Sequence, residues 1–123
     1  MKEYFLLIPD GKSKFECDII EWDGTGELLD FMYQAIGCTS IEVVRIPLDR
    51  LKTQLLFIVD EEGLFRDNKL NWILSPLYGG RIMGKALCGT QGIREGEPDI
   101  VGFPDKDTAY RAAQDIFREY MRK

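Results

Sequence analysis

Thr53-Gln54-Leu55-Leu56-Phe57-Ile58-Val59 opens a stretch, running to Thr90, whose reading decides the fold of this 123-residue chain. Leu55 to Val59 are five apolar residues in succession, rich in aromatic and β-branched types. A strand covered on both faces needs that pattern, because neither side of its pleat meets water. The run therefore predicts a strand in mid-sheet. Asp60-Glu61-Glu62-Gly63 follows as an acidic hairpin tip, with Gly63 where a positive φ is needed. Leu64 to Leu70 reads as the next arm, and Asn71 to Leu77 as a short helix capped by Asn71 and limited by Pro76. Gly79-Gly80 releases the chain into a second strand, Arg81 to Cys88. There Ile82, Gly84, Ala86 and Cys88 form a small-residue face suited to packing under a helix, and Arg81, Met83, Lys85 and Leu87 form a mixed cationic and apolar face.

Upstream, residues 4–8 and 14–20 read as a hairpin turned by Pro9-Asp10-Gly11, with Phe15, Cys17 and Ile19 alternating against a wet face. Thr25 is placed to cap a helix over Gly26 to Ile36, with Gly37 closing it and Leu28, Met32, Ala35 and Ile36 forming its core stripe. Ser40 to Ile46 alternates as a strand ending at Pro47, and the loop Leu48 to Lys52 lets it pair with Thr53 to Val59. Downstream, Gly89-Thr90-Gln91-Gly92 opens a polar loop, Ile93 to Pro98 is exposed and mobile, and Asp99 to Phe103 forms a final strand. Asp105 caps a last helix with Ala109, Ala113, Ile116, Phe117 and Tyr120 inward and Arg111, Asp115, Arg118 and Arg122 outward. The expected fold is α+β: one domain over residues 1–123, an antiparallel or mixed sheet of about six strands, two main helices and one short one.

Composition narrows the chemistry. The chain has no histidine, which removes the commonest general base near neutral pH and the Ser-His and Cys-His nucleophile pairs. Three scattered cysteines, Cys17, Cys38 and Cys88, fit core thiols in a reducing cytosol and form no zinc pattern. Three carboxylates at Asp60 to Glu62 raise Mg²⁺ as a candidate but diverge on a tight turn, so no metal is expected there, and no cofactor is expected either. No apolar run is long enough to span a bilayer, and no secretory leader is expected. Net charge is −5 and uneven: residues 1–62 hold 13 Asp/Glu against 6 Lys/Arg, and residues 63–123 hold 8 against 10. That balance disfavours nucleic-acid polymers and anionic membranes, but leaves cations enough in the second half for a small anionic ligand.

Three constellations could hold such a ligand. Arg111, Arg118 and Arg122 line one helical face, and guanidinium forks meet phosphate oxygens bidentately; a solvated face is the competing reading. Thr90 and Gln91, between glycines and beside the cationic Arg81 and Lys85, offer donors and acceptors for a base or ribose, or form a plain loop. Asn71-Trp72 offers an indole for stacking, or a buried tryptophan on a short helix. Neither the Walker spacing nor GxGxxG occurs.

AIGCTSIEVVRI (35–46), VDEEGLFRDNKLN (59–71), IMGKALCG (82–89) and VGFPDKD (101–107) together resemble a family of small uncharacterised proteins of phages, prophages and plasmids from Gram-positive hosts. The resemblance covers about residues 28–107 and brings no activity with it. Size, a strand-rich middle and an arginine-bearing terminal helix also look like the Thoeris anti-defence sponge proteins, phage proteins that sequester cyclic ADP-ribose isomers and in some cases cyclic oligonucleotides. That second resemblance implies a non-enzymatic binder in the host cytoplasm. Its ligand would sit between subunits of a homo-oligomer, a dimer or a multiple of it, against Arg111, Arg118 or Arg122. The mixed face of Arg81, Met83, Lys85 and Leu87, together with Tyr110 and Met121, expected to be exposed, fits such an interface. Two alternatives stand beside it: a protein-binding inhibitor of a host defence factor acting through the acidic first half, and a small nucleotide-processing enzyme using Asp, Glu or Lys.

Overall fold

The computed structural model describes residues 2–46, 48, 54–66 and 68–123. Six strands, Glu3–Ile8 (β1), Asp18–Trp22 (β2), Ile41–Val44 (β3), Leu55–Asp60 (β4), Ala86–Arg94 (β5) and Glu97–Val101 (β6), form one antiparallel sheet. Its order is β2-β1-β5-β4-β3, with β6 paired to β5. Helices Leu28–Ile36 (α1), Leu74–Tyr78 (α2) and Lys106–Met121 (α3) cover it. The α+β class and the six-stranded sheet are as the sequence predicts.

Every residue of β4 is buried, which is what its apolar run implies. Leu55, Phe57 and Val59 turn to one side with Leu6, Ile8, Ala86 and Cys88, beneath Leu74 and Leu77 of α2 and Ala109, Ala112 and Ile116 of α3. Ile58, Phe5 and Leu87 turn to the other, beneath Met32 and Ile36 of α1. The sheet is thus the middle of three layers. Phe57 has no exposed surface, and such burial contributes roughly 2–3 kcal/mol.

The sheet forks at β5. One side of β5 is continuous with β4, but the other is shared: Ala86 to Cys88 face β1, and Thr90 to Arg94 face β6. Beyond β6, Phe103 bridges back to Tyr4, with N–H···O distances of 2.9 and 2.6 Å. The end of the β6 segment is therefore wedged between the start of β1 and the middle of β5.

Several local expectations need correction. Pro9-Asp10-Gly11 does not make a tight hairpin; β1 and β2 pair as Leu7 opposite Asp18, so a longer connection intervenes, tied by Gly11 N–H to the Leu70 carbonyl at 2.9 Å. Thr25 does not cap α1, because Asp23 engages its N–H and hydroxyl at 2.9 and 2.6 Å, and the helix starts at Leu28 in place of Gly26, without a side-chain cap. Gly37 does close it, left-handed at φ 81°. β3 pairs with β4 as expected, whereas Pro47, Thr53 and most of the loop Leu48 to Lys52 lie outside the described residues.

Asp60 to Gly63 is not a hairpin tip, and of its residues only Glu61 and Glu62 are exposed. Asp60 ends β4 and is buried, accepting from Glu62 N–H at 2.9 Å and Asn68 Nδ2 at 3.2 Å, with Arg66 Nε at 3.5 Å. Gly63 has no positive φ; a β-carbon there would stand 2.8 Å from the Met83 carbonyl. Arg81 to Lys85 is not strand: Leu70 and Met83 form a single bridge and Gly84 turns the chain, so the mixed face does not exist, and Leu87 is core. Gly89 to Gly92 and Ile93 to Pro98 are not loops. They are the second half of β5 and its hairpin into β6, turned at Glu95 (φ 52°) and Gly96 (φ 80°), the pair of positive angles that a two-residue turn needs. On α3 the buried face is Ala109, Ala112, Ile116 and Glu119; Ala113 and Tyr120 are half-buried and Phe117 is 42% exposed.

Candidate functional site

Asn71 fixes the start of α2. Its Oδ1 accepts from the N–H groups of Ile73 (3.2 Å) and Leu74 (3.0 Å), and its Nδ2 donates to the carbonyls of Gly84 (3.1 Å) and Ile8 (3.4 Å). With no exposed surface and every polar atom engaged, Asn71 is a structural clamp, not a free ligand group. Its effect is on its neighbour: Trp72 is held at the edge of α2, 52% exposed.

Trp72 and Pro76 form one wall of a cleft of about 400 Å³, and Tyr120, Met121 and Lys123 at the end of α3 form the other, with Ser13 closing it. Ser13 belongs to the β1–β2 connection, which Phe15 anchors on α3 by ring contacts of 5.0 Å to Phe117 and 5.7 Å to Tyr120. Lys12 and Lys14 flank Ser13 and both are exposed. Arg122 is the C-cap of α3, its Nη1 3.7 Å from Glu119. Aromatic faces, a thioether and the Lys123 ammonium thus meet at one end of an acidic protein, with Lys12, Lys14 and Arg122 adjacent in sequence to its lining. The volume falls within the range of small-molecule sites.

The other sequence candidates lie elsewhere. Arg111 and Arg118 are on the exposed face of α3, and Arg118 is bound to Asp115 at 2.9 Å. Arg81 lines a separate cleft of about 530 Å³ whose walls include Glu42, Asp60 and Glu61. Lys85 is exposed just before β5. Thr90 and Gln91 are within β5; the Thr90 hydroxyl donates to the Gln54 carbonyl at 3.0 Å, and Gln91 stands opposite Ile100. The glycines beside them serve packing, since β-carbons would come within 2.7 Å of the Val101 carbonyl at Gly89 and 2.5 Å of the Val101 side chain at Gly92. Of the nine candidates, Trp72 lines the aromatic cleft and Arg122 stands next to two of its residues.

Sequence reading missed two features. Tyr120 does pack against the core, as its place on the inward stripe implies, but it also lines the cleft, and no periodicity links it to Ser13, Trp72 and Lys123. Arg94 was hidden in a supposed loop, although Glu95-Gly96 between paired residues is a hairpin signal. Arg94 reaches Glu3 through two bonds of 2.8 Å, the Ile100 carbonyl at 3.0 Å, and Asp99 at an ion-pair distance of 3.2 Å from Nε. Nε is buried and lacks an aligned hydrogen bond, so the Asp99 contact is charge alone. The guanidinium also lies 5.5 Å from the Trp22 ring centre. Burial pushes the Glu3 carboxyl up, but the Arg94 bonds, the Gly102 N–H and the Arg94 charge outweigh it and hold it below its ordinary value. Among the described residues, no group of three or more His, Cys, Asp or Glu side chains could hold a metal ion. None of their helices is long and apolar enough to cross a membrane.

No curated protein matches the sequence. Among solved structures, the fold is similar to part of the small RNA methyltransferase HEN1, at a TM-score of 0.59 and 16% identity. The match covers 90% of this chain but spans 16% of that enzyme, so the likeness is one of fold. With a family model matching residues 1–114, the chain belongs to the domain of unknown function DUF3846.

Proposed function

We propose that the chain is a binding protein for a small anionic nucleotide, held at the Trp72 cleft and released unchanged. The observation that supports it is the cleft itself: an exposed indole sharing its lining with Tyr120 and Lys123, in a chain of net charge −5. A base stacks on an indole whatever its sequence identity, and cations at the rim meet phosphate. The finer form of the proposal is a phage-encoded anti-defence sponge in the host cytoplasm that takes up a cyclic ADP-ribose isomer or a cyclic oligonucleotide. It assembles as a dimer or a multiple of it, with exposed Tyr110 and Met121 available for contact between copies. The cation that grips phosphate is Lys123 at the helix end, or Arg122, whose 3.7 Å contact with Glu119 is looser than the 2.9 Å pair of Arg118 with Asp115.

Incubation with a panel of cyclic nucleotides, heat denaturation and chromatography of the supernatant tests the reading. Intact ligand is expected. Recovery of a product would make the chain an enzyme, and recovery of nothing would end the nucleotide reading. For a ligand that binds, Trp72→Ala loses a stacking contact of about 1–3 kcal/mol, a drop in affinity of roughly five- to more than a hundredfold, while Arg118→Ala leaves it unaltered. Equal affinity for Trp72→Ala and the unsubstituted protein would place the ligand elsewhere.

A further inference from the structure

The opposite face of the sheet carries a surface of the reverse character. A groove of about 510 Å³ runs between the first turn of α1 and the β5–β6 hairpin. Leu28, Leu29 and Met32 of α1 and Ile100 of β6 line it, and Leu29 is 45% exposed. Trp22 closes one end, its Nε1–H donated to the Thr25 carbonyl at 3.1 Å and its ring beside Arg94. Both contacts fix the indole, so this apolar wall is preformed. Trp22, Gly26 and Glu27 also border a second cleft of about 420 Å³, which makes the two one continuous surface.

Charge decides what that surface can take. Glu21, Asp23 and Asp30 border the second cleft, Glu95 and Asp99 the first, and Glu27 both. Arg94, the guanidinium of the lining, is already neutralised by Glu3 and Asp99. Glu21 is paired with Lys2 at 3.6 Å and Asp99 with Arg94, but phosphate or a nucleic acid would still meet Asp23, Glu27, Asp30 and Glu95 and be repelled. An apolar segment without charge would leave those carboxylates uncompensated. A segment with apolar side chains on one side and Lys or Arg on the other satisfies both features at once.

We propose that this groove docks a basic amphipathic peptide segment of another protein, an apolar side chain seating between Leu29 and Trp22 while its cations reach the carboxylate rim. The site is independent of the Trp72 cleft, and each cleft has one of the chain's two tryptophans. The two proposals can therefore fail separately.

The test uses the full chain with Trp72→Phe, so that Trp22 is the only indole, titrated with a tryptophan-free amphipathic Leu/Lys helix peptide. The Leu/Lys peptide is expected to shift Trp22 emission and to bind at least about tenfold more weakly when salt rises from about 50 to about 300 mM. A Leu/Glu peptide of the same pattern is expected not to bind. Leu29→Glu and, independently, Asp23→Asn with Asp30→Asn are each expected to weaken the Leu/Lys peptide about tenfold or more. The second variant replaces exposed or half-exposed groups isosterically, which keeps the test open if the first misfolds. Equal binding of oligolysine would overturn the proposal, since charge alone would then suffice. Indifference to both variants would overturn it too, as would concentration-dependent self-association that the peptide displaces, because the occupant would then be a second copy.

Discussion

Replacing Asn71 by alanine is expected to cost about 3–4 kcal/mol, more than any surface substitution should. The side chain has no exposed area, and its amide joins three segments: the end of β1 at Ile8, the turn at Gly84 and the first turn of α2 at Ile73 and Leu74. Removing it strands two N–H groups and two carbonyls. A buried polar group left unpaired costs about 1–3 kcal/mol, and a lost cap alone about 1 kcal/mol. The 3.4 Å contact to Ile8 is the weakest of the four, and water entering the vacated space offsets part of the loss. Urea unfolding followed by circular dichroism, extrapolated linearly, measures the cost. Asn71→Asp sharpens the test. It keeps the acceptor for Ile73 and Leu74 but turns a carboxylate oxygen toward the carbonyls of Ile8 and Gly84. Those oxygens repel the ionised form and raise the folded-state pKa. The penalty is therefore absent below the unfolded pKa, about 3.9, and grows as pH rises through the folded one. A cost below about 1 kcal/mol for Asn71→Ala, or a pH-independent cost for Asn71→Asp, would refute the clamp.

Two further outcomes are expected. The depressed Glu3 carboxyl contributes stability that is complete above its unfolded pKa and is lost as pH falls through the folded value; Glu3→Gln should lower stability by about 1–2 kcal/mol at neutral pH and flatten the fall of the urea midpoint below pH 4.5, and an unchanged slope would remove Glu3 from the acid transition. Burial, with Asp18 and Glu16 nearby, pushes the Cys17 thiol up to about 12, and burial also raises Cys38 and Cys88, so disulfide exchange with a chromogenic reagent near pH 8 should be slow in the folded protein and reveal three thiols on unfolding without reductant.

What was legible in the sequence was what neighbours in the chain decide. Leu55 to Val59 announced a strand covered on both sides, Gly37 a helix end, and Asp105 a cap, which it provides to Thr108 N–H at 2.7 Å. What failed was decided by remote partners. Gly89 and Gly92 read as loop residues because glycine is usually flexible, but they are selected for the closeness of Val101. Asn71 was read correctly as a cap for the helix, while its burial depended on Ile8 and Gly84. The Trp72 cleft draws on three separated segments, so composition could supply its parts but not their meeting.

The fork in the sheet has a consequence for how the chain is made. β1 and β2 can pair as soon as both have left the ribosome, but the other edge of β1 belongs to β5 and to Phe103. At about 5–20 residues per second, that edge waits on the order of several seconds for its partner. During the wait, Leu6 and Ile8 lack β5 beside them and a helix over them, and an open apolar strand edge invites pairing with another chain. Phe103, which covers Tyr4 on the same edge, and α3, which packs on one face of β1, are synthesised later still, so a ribosome stalled before Gly102 would hold a nascent chain bearing an uncovered β-edge, a natural substrate for holding chaperones.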